Sequence, residues 1–293
     1  MTAGWAFLAA MIVAYGVANL LQSIAAARTE LHHKFHPRLL LHLGRHKIYL
    51  VGLICQFAGF TLAFLARKDL PLFLVQSAVA AGLGVTALLG VLILKWRLPT
   101  AEVFLLGMLS VGLAGLVIAA EPAPSRQLGM AGNIGLTLVL LGIGVAGFFA
   151  VRLHGAPGSV VLGSLAGLAF SAAAVASRPL ASVHTVDEFV TSPLLYLLVA
   201  HSVVGQLLLA MAMQRGSTTA AVAAMDAAGA VPAALVGLLV LGDEIHSGRE
   251  WLAGAGFLMT LVAVIGLSFY AEPQHHHQVK TERSPVGVGA PVD

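Results

Sequence analysis

Nine apolar runs, at 4–26, 48–66, 72–95, 101–120, 128–152, 157–176, 193–213, 218–241 and 250–270, divide the chain. Each is long enough to cross a hydrocarbon core of about 30 Å as a helix. In lipid only helices and closed barrels pair every backbone N–H and C=O, and long continuous apolar runs select the helix. The expected fold is an all-α polytopic membrane protein with about nine transmembrane helices. A single membrane domain is expected over 1–270, with two halves at about 4–120 and 157–270 and the run 128–152 between them, and 271–293 is expected as a disordered cytoplasmic tail. Composition agrees: 10% of residues are Asp, Glu, Lys or Arg and 58% are apolar, whereas a soluble domain carries about 25% charged residues. The first run is followed by Arg28 and has no basic segment before it, which suits a retained helix better than a cleaved signal.

Basic residues orient the chain. With the N-terminus outside, the cytoplasmic connections hold Arg28, Lys34, Arg38, Arg45, Lys47, Lys95, Arg97, Arg152, Arg215, Lys280 and Arg283, against Arg67, Lys68, Arg126, Arg178 and Arg249 on the outer side. That asymmetry follows the positive-inside rule and predicts a cytoplasmic C-terminus in a bacterial inner membrane. The sequence pI near 9.2 is read as this topology signal, because no basic surface interleaved with aromatics points to nucleic acid. The lone Cys55 lies in an apolar run and excludes an intramolecular disulfide.

One carboxylate interrupts the run 218–241. Asp226 lies about eight residues, or roughly 12 Å, in from the helix start, near the bilayer midplane, where an aspartate costs about 2.5–3.5 kcal/mol. It is expected to face protein or a water-filled cavity. Pro232, a turn and a half later, lacks an N–H and is expected to kink or break the helix and free carbonyls to line that cavity. The other polar residues inside the runs are Asn19, Gln22, Gln56, Gln76, Asn133, His201, Ser202 and Gln206; Ser202 and Gln206, four apart, share a helix face. Asp226, Gln76, Gln206, Ser202, Gln56, Asn19 and Pro232 form the expected substrate and coupling site. Buried amides also serve simply to join helices. Asp243 and Glu244 fall at the outer end, where solvated carboxylates cost little, and are read as topology with a gating role in reserve.

Histidines cluster in the loop 27–47 (His32, His33, His36, His42, His46) and in His275-His276-His277. Without cysteines, and with only Glu30 near, the loop matches no closed metal site; a solvated basic loop on an anionic membrane surface is expected, with no metal and no cofactor. Glycines at 132, 135, 142, 144, 147, 163 and 167, with Ser171, are spaced for close helix packing. No glycine-rich turn precedes Lys-Ser or Lys-Thr, and no nucleophile–base pair is visible, so neither ATP hydrolysis nor another enzyme activity is expected.

An offset of 147 or 148 residues lays Leu50-Val51 on Leu198-Val199, Gly90 on Gly237, Leu94 on Leu241 and Gly107 on Gly254. Gln76 then falls close to Asp226. The two triplets of helices, the second to fourth and the seventh to ninth, are five helices apart, an odd number, so the second enters the membrane upside down. Inverted repeats of this kind build secondary transporters with a midplane site.

Ala212-Met-Gln-Arg-Gly-Ser-Thr218, Val231-Pro232, Leu235, Gly237, Leu241-Gly242-Asp243-Glu244 and Gly254 together resemble the C-terminal repeat of the drug/metabolite transporter superfamily, the EamA-like proteins. Ala63, Gly82, Gly90, Leu94, Glu102 and Gly107 echo that pattern in the first half, where Lys95-Trp96-Arg97 replaces the Gly-acid-Glu ending. The resemblance implies a carrier for a small metabolite or lipid-linked intermediate, working by alternating access. Nine helices, a basic first loop and Gln206 are similar to the NIPA-like branch, which implies Mg²⁺ or another cation as the alternative cargo. A non-transporting membrane partner or scaffold is the third reading. Expected partners are the substrate or ion and membrane lipids, with a homodimer left open by the sequence.

Overall fold

The computed structural model describes residues 2–28, 47–95, 98–123, 125–183, 185–215 and 218–282. Among these residues eleven helices run in order: α1 (Thr2–Arg28), α2 (Lys47–Ala66), α3 (Leu72–Val79), α4 (Ala81–Leu94), α5 (Thr100–Ala119), α6 (Met130–Ala150), α7 (Gly155–Leu180), α8 (Val186–Thr191), α9 (Pro193–Arg215), α10 (Thr218–Leu239) and α11 (Glu250–Glu282). Two short strands, β1 (Ala120–Glu121) and β2 (Glu244–Ile245), pair antiparallel with Ala120 opposite Ile245. The protein is an all-α polytopic membrane protein. Among the described residues, seven segments are long and apolar enough to span: 3–21, 72–94, 100–119, 130–150, 155–180, 193–213 and 250–267. The expected runs at 48–66 and 218–241 are present as shorter apolar helices, 50–66 and 224–239. Of the expected tail, α11 is described to Glu282, and 283–293 lie outside the described residues.

Lipid removes the usual reason to hide apolar side chains, and the burial pattern reflects it. Phe57, Phe104, Leu138, Val145 and Leu207 are all exposed on the bundle surface. What needs hiding is backbone and polar atoms, so small residues gather inside. Helix α7 is the extreme case. Residues 171–180 are buried without exception, and a Cβ on Gly163 or Gly167 would overlap the backbone of Ala221 or Met225 on α10. Gly112 on α5 and Gly256 on α11 make the same kind of approach, with an added Cβ on either meeting the other's carbonyl at under 3 Å, 2.9 and 2.7 Å.

Helix α1 packs on α2 and α4, α7 packs on α9 and α10, and α5 packs on α11. The chain alternates between two ends of the bundle. At one end Gly4 lies against Asp69, the Arg126 N–H donates to Leu241 O at 2.8 Å, the His246 N–H donates to Ala119 O at 2.9 Å, and Gln127 reaches Ser182 at 3.0 Å. At the other, Arg215 donates to Leu153 O.

Two expectations about helix breaks are corrected. Helix α10 is continuous through Pro232: one proline removes a single N–H, and the bonds on either side carry the helix across. The break falls instead within the run 72–95, at Ala80, where α3 hands over to α4 through a tight turn with Ala80 N–H donating to Ser77 O at 3.2 Å and Leu83 N–H to Ala80 O at 3.0 Å.

Candidate functional site

Asp226 is half-buried on α10, one residue from Met225, whose backbone lies against Gly167 on α7. Among the described residues its carboxylate forms no hydrogen bond and no ion pair. Gln76 on α3 is half-buried, and its Oε1 accepts from Arg67 Nη2 at 3.4 Å. Ser202 on α9 donates back to its own helix, to Leu198 O at 2.8 Å. Gln206 on α9 and Gln56 on α2 are exposed, Asn19 on α1 is half-buried, and Pro232 is half-buried within α10. No hydrogen bond joins Asp226, Gln76, Ser202 and Gln206 to one another among the described residues. Nearby, His201 is fully buried, with Nδ1 2.8 Å from Leu197 O and Nε2 without a partner among the described residues. The histidine-rich segment 29–46 lies outside the described residues, as do the side chains of His275, His276 and His277.

The dense polar chemistry sits elsewhere, at the end of the bundle shared by α2, α3 and α7. Arg67, Arg178 and Asp243, expected as solvated charges of the outer connections, are buried, at 5%, 0% and 5% exposure. The cause is local. Helix α7 continues past the expected end at 176 and carries Arg178 and Pro179 in its last turn, between helices that already cover it. Gly242, at φ 75°, turns the chain back after α10. Gly237 has no Cβ to collide with the Asp243 carboxylate, which occupies that space.

Arg178 then spends its guanidinium on three partners. Nε donates to Asp243 Oδ1 at 2.6 Å, and Nη2 lies 2.5 Å from the same oxygen and donates to Ala123 O at 3.1 Å. Nη1 donates to the carbonyl of Arg67. The second carboxylate oxygen, Asp243 Oδ2, accepts the backbone N–H of Leu72 at 2.5 Å, and the N–H of Phe73 also bonds this carboxylate. Asp243 thus caps α3, whose own N-cap, Pro71, offers no side-chain acceptor. A carboxylate at a helix N-terminus gains from both the free N–H groups and the helix dipole. Burial pushes the Asp243 carboxyl upward, opposed by Arg178 and by these two N–H groups.

Arg67 is the other cation here. Nη1 donates to Ser177 Oγ at 3.1 Å, and Nε has no partner. Burial lowers it to about 10, against the pull of Tyr15 and with the push of Arg178, so it stays charged at neutral pH. One sequence signal pointed to Arg178: it is embedded in small and apolar residues on both sides, Ala172 to Ser177 and Pro179 to Ala181. Arg67 carries no such mark, standing beside Lys68 and Asp69.

No family model matches the chain, and no curated protein and no solved structure matches it.

Proposed function

We propose that the protein is a secondary membrane carrier of the drug/metabolite transporter type, EamA-like, that moves a small metabolite or lipid-linked intermediate across a bacterial inner membrane by alternating access. The observation that carries this reading is the matched packing of the two halves. The first helix of each half, α1 or α7, packs on the second and third, α2 with α4 or α9 with α10, and the fourth helices, α5 and α11, pack on each other. Counting α3 with α4 as one span, corresponding helices are five spans apart, so the halves enter the membrane in opposite senses and form an inverted repeat of nine spans.

The polar network supports the same reading. Arg178 and Asp243 belong to the second half, while Leu72 N–H and Arg67 O belong to the first. Their bonds tie the halves together at one end, as a closed gate must. Asp226, without a partner among the described residues, supplies an ionisable group for the ligand or for a coupling proton. A cation carrier of NIPA-like type is the less supported form, because Mg²⁺ asks for several oxygen ligands in octahedral array and Asp226 stands alone.

The test is a thermal-shift screen of the purified protein against metabolites, lipid phosphates and divalent ions, since a ligand that binds the native state raises its melting temperature, followed by uptake of any hit into proteoliposomes. Uptake that is saturable in wild type and absent in Asp226→Asn is expected. A hit that binds but never crosses the membrane points to the non-transporting alternative. Cysteines placed in 27–47 and in 271–293 are expected to label only from the cytoplasmic side. Labelling of either from outside intact cells contradicts the orientation.

A further inference from the structure

We propose that the Arg67 guanidinium is the recognition point for an anionic head group, a carboxylate or a phosphate, on the ligand this protein carries. The inference rests on the carrier reading and adds the charge class of the ligand.

The two buried arginines of the network differ in one respect. Arg178 has a carboxylate in direct contact. Arg67, equally enclosed, has none: its bonds run to the neutral Ser177 hydroxyl at 3.1 Å and the neutral Gln76 amide at 3.4 Å, and its Nε, shut off from solvent, bonds to nothing among the described residues. A buried charge without a counter-ion is costly, and so is a buried N–H without an acceptor. The fork of a guanidinium is shaped to take two oxygens of one carboxylate or phosphate at once. The ionisable groups that act on Arg67 are the phenol of Tyr15 and the cation of Arg178, and neither supplies the missing negative charge.

The surroundings say from which side an anion arrives. Toward the loops, Arg67 is closed off by its own carbonyl, held by Arg178, and by the Asp243 cap on α3. Toward the bundle interior stand Gln76 and Tyr15, both half-buried. Tyr15, on α1, sits between Gly59 of α2 and Gly82 of α4, with an added Cβ on either glycine meeting it at 3.0 Å. At 1.5 Å per residue, Gln76 lies about 6 Å inward of the start of α3. The amide and the phenol place neutral hydrogen-bonding groups beside the guanidinium, the composition of an anion subsite.

The test uses the full chain in detergent. Thermal unfolding is followed against inorganic phosphate and succinate, with chloride at matched ionic strength as reference. A saturable rise in melting temperature with phosphate or succinate and none with chloride is expected; which anion acts distinguishes a phosphate ligand from a carboxylate. Arg67→Gln is expected to weaken that anion by about ten- to a hundredfold, while Lys68→Gln, at the exposed neighbouring cation, leaves it unchanged. Should Arg67→Gln fail to fold, Arg67→Lys replaces it, and an affinity equal to wild type there, despite the lost fork, overturns the proposal. So does the absence of a saturable shift with either anion. If a neutral or cationic metabolite stabilises the protein in an Asp226-dependent way while no anion acts, the anion assignment falls and the carrier reading stands; if ligands of every charge fail, both fall.

Discussion

Asp243 and Asp226 are both acidic residues of the second half, 17 positions apart in the sequence, and they have opposite surroundings. Asp243 is buried and fully engaged, with a guanidinium on one oxygen and a helix N-terminus on the other. Asp226 is half-buried, and among the described residues it has no partner. The depth of a residue along a helix, which the sequence reveals, separates them one way: Asp226 in the membrane, Asp243 at its edge. Their contacts separate them the other way. The carboxylate at the edge is the structural one, and the one in the middle is left available. Taking the partner from a buried charge is costly, whereas Asp226 has none to lose among the described residues.

The sharpest way to break this contrast is to remove the arginine. Arg178→Met leaves Asp243 buried and unpaired, and a loss of about 3–5 kcal/mol is expected, read as failure to recover folded, monodisperse protein or as a large fall in melting temperature. Arg178→Met combined with Asp243→Leu should recover much of that loss, because the cost lies in the orphaned charge. A single variant as stable as wild type would show that the pair is not buried as described.

Asp243→Asn comes next. It keeps an acceptor for the Leu72 N–H but leaves the buried Arg178 cation without its counter-charge, so a loss near the lower end of the same range, about 3 kcal/mol, is expected. Equal losses for Asp243→Asn and Asp243→Ala would mean that capping α3 contributes nothing.

Gly167→Ala probes the α7–α10 contact beside Asp226. The added methyl overlaps the Met225 carbonyl, and overpacking of this kind costs about 1–3 kcal/mol. A variant with unchanged stability would argue that the two helices separate easily at this level.

The smallest effect on stability is expected at Asp226 itself. Asp226→Asn breaks no bond, so a change within about 0.5 kcal/mol is expected alongside complete loss of turnover. A change as large as that of Asp243→Asn would return Asp226 to the role of helix glue and erase the comparison.

Much of the architecture was legible in the sequence, because lipid imposes length and continuity on every span. The small residues of α7 also announced its close packing, since in lipid close approach is what such residues are for. The charged network was not legible. A basic residue at the end of an apolar run looks the same whether its side chain lies in a solvated loop or is folded back among neighbouring helices, and only the tertiary arrangement brings Arg67, Arg178 and Asp243, drawn from three connections, to one place. Helix breaks misled for a related reason. Pro232 marks a lost hydrogen bond, which α10 absorbs, while the turn at Ala80 has no residue signature. The repeat sets Gln76 at the counterpart position of Asp226, whereas its bond in the structure is to Arg67.

The short ladder between β1 and β2 has a mechanical consequence. It clamps the end of α5 to the approach of α11, and the clamp is reinforced by His246 N–H on Ala119 O and by Arg249 Nη1 on Ile118 O at 2.7 Å. A fastening at one tip sets the pivot for any swing: α5, 20 residues and about 30 Å long, would turn about its clamped tip. Ten degrees of swing leaves the ladder almost where it was and carries the tip at Thr100 about 5 Å sideways, by the arc of a rod of that length.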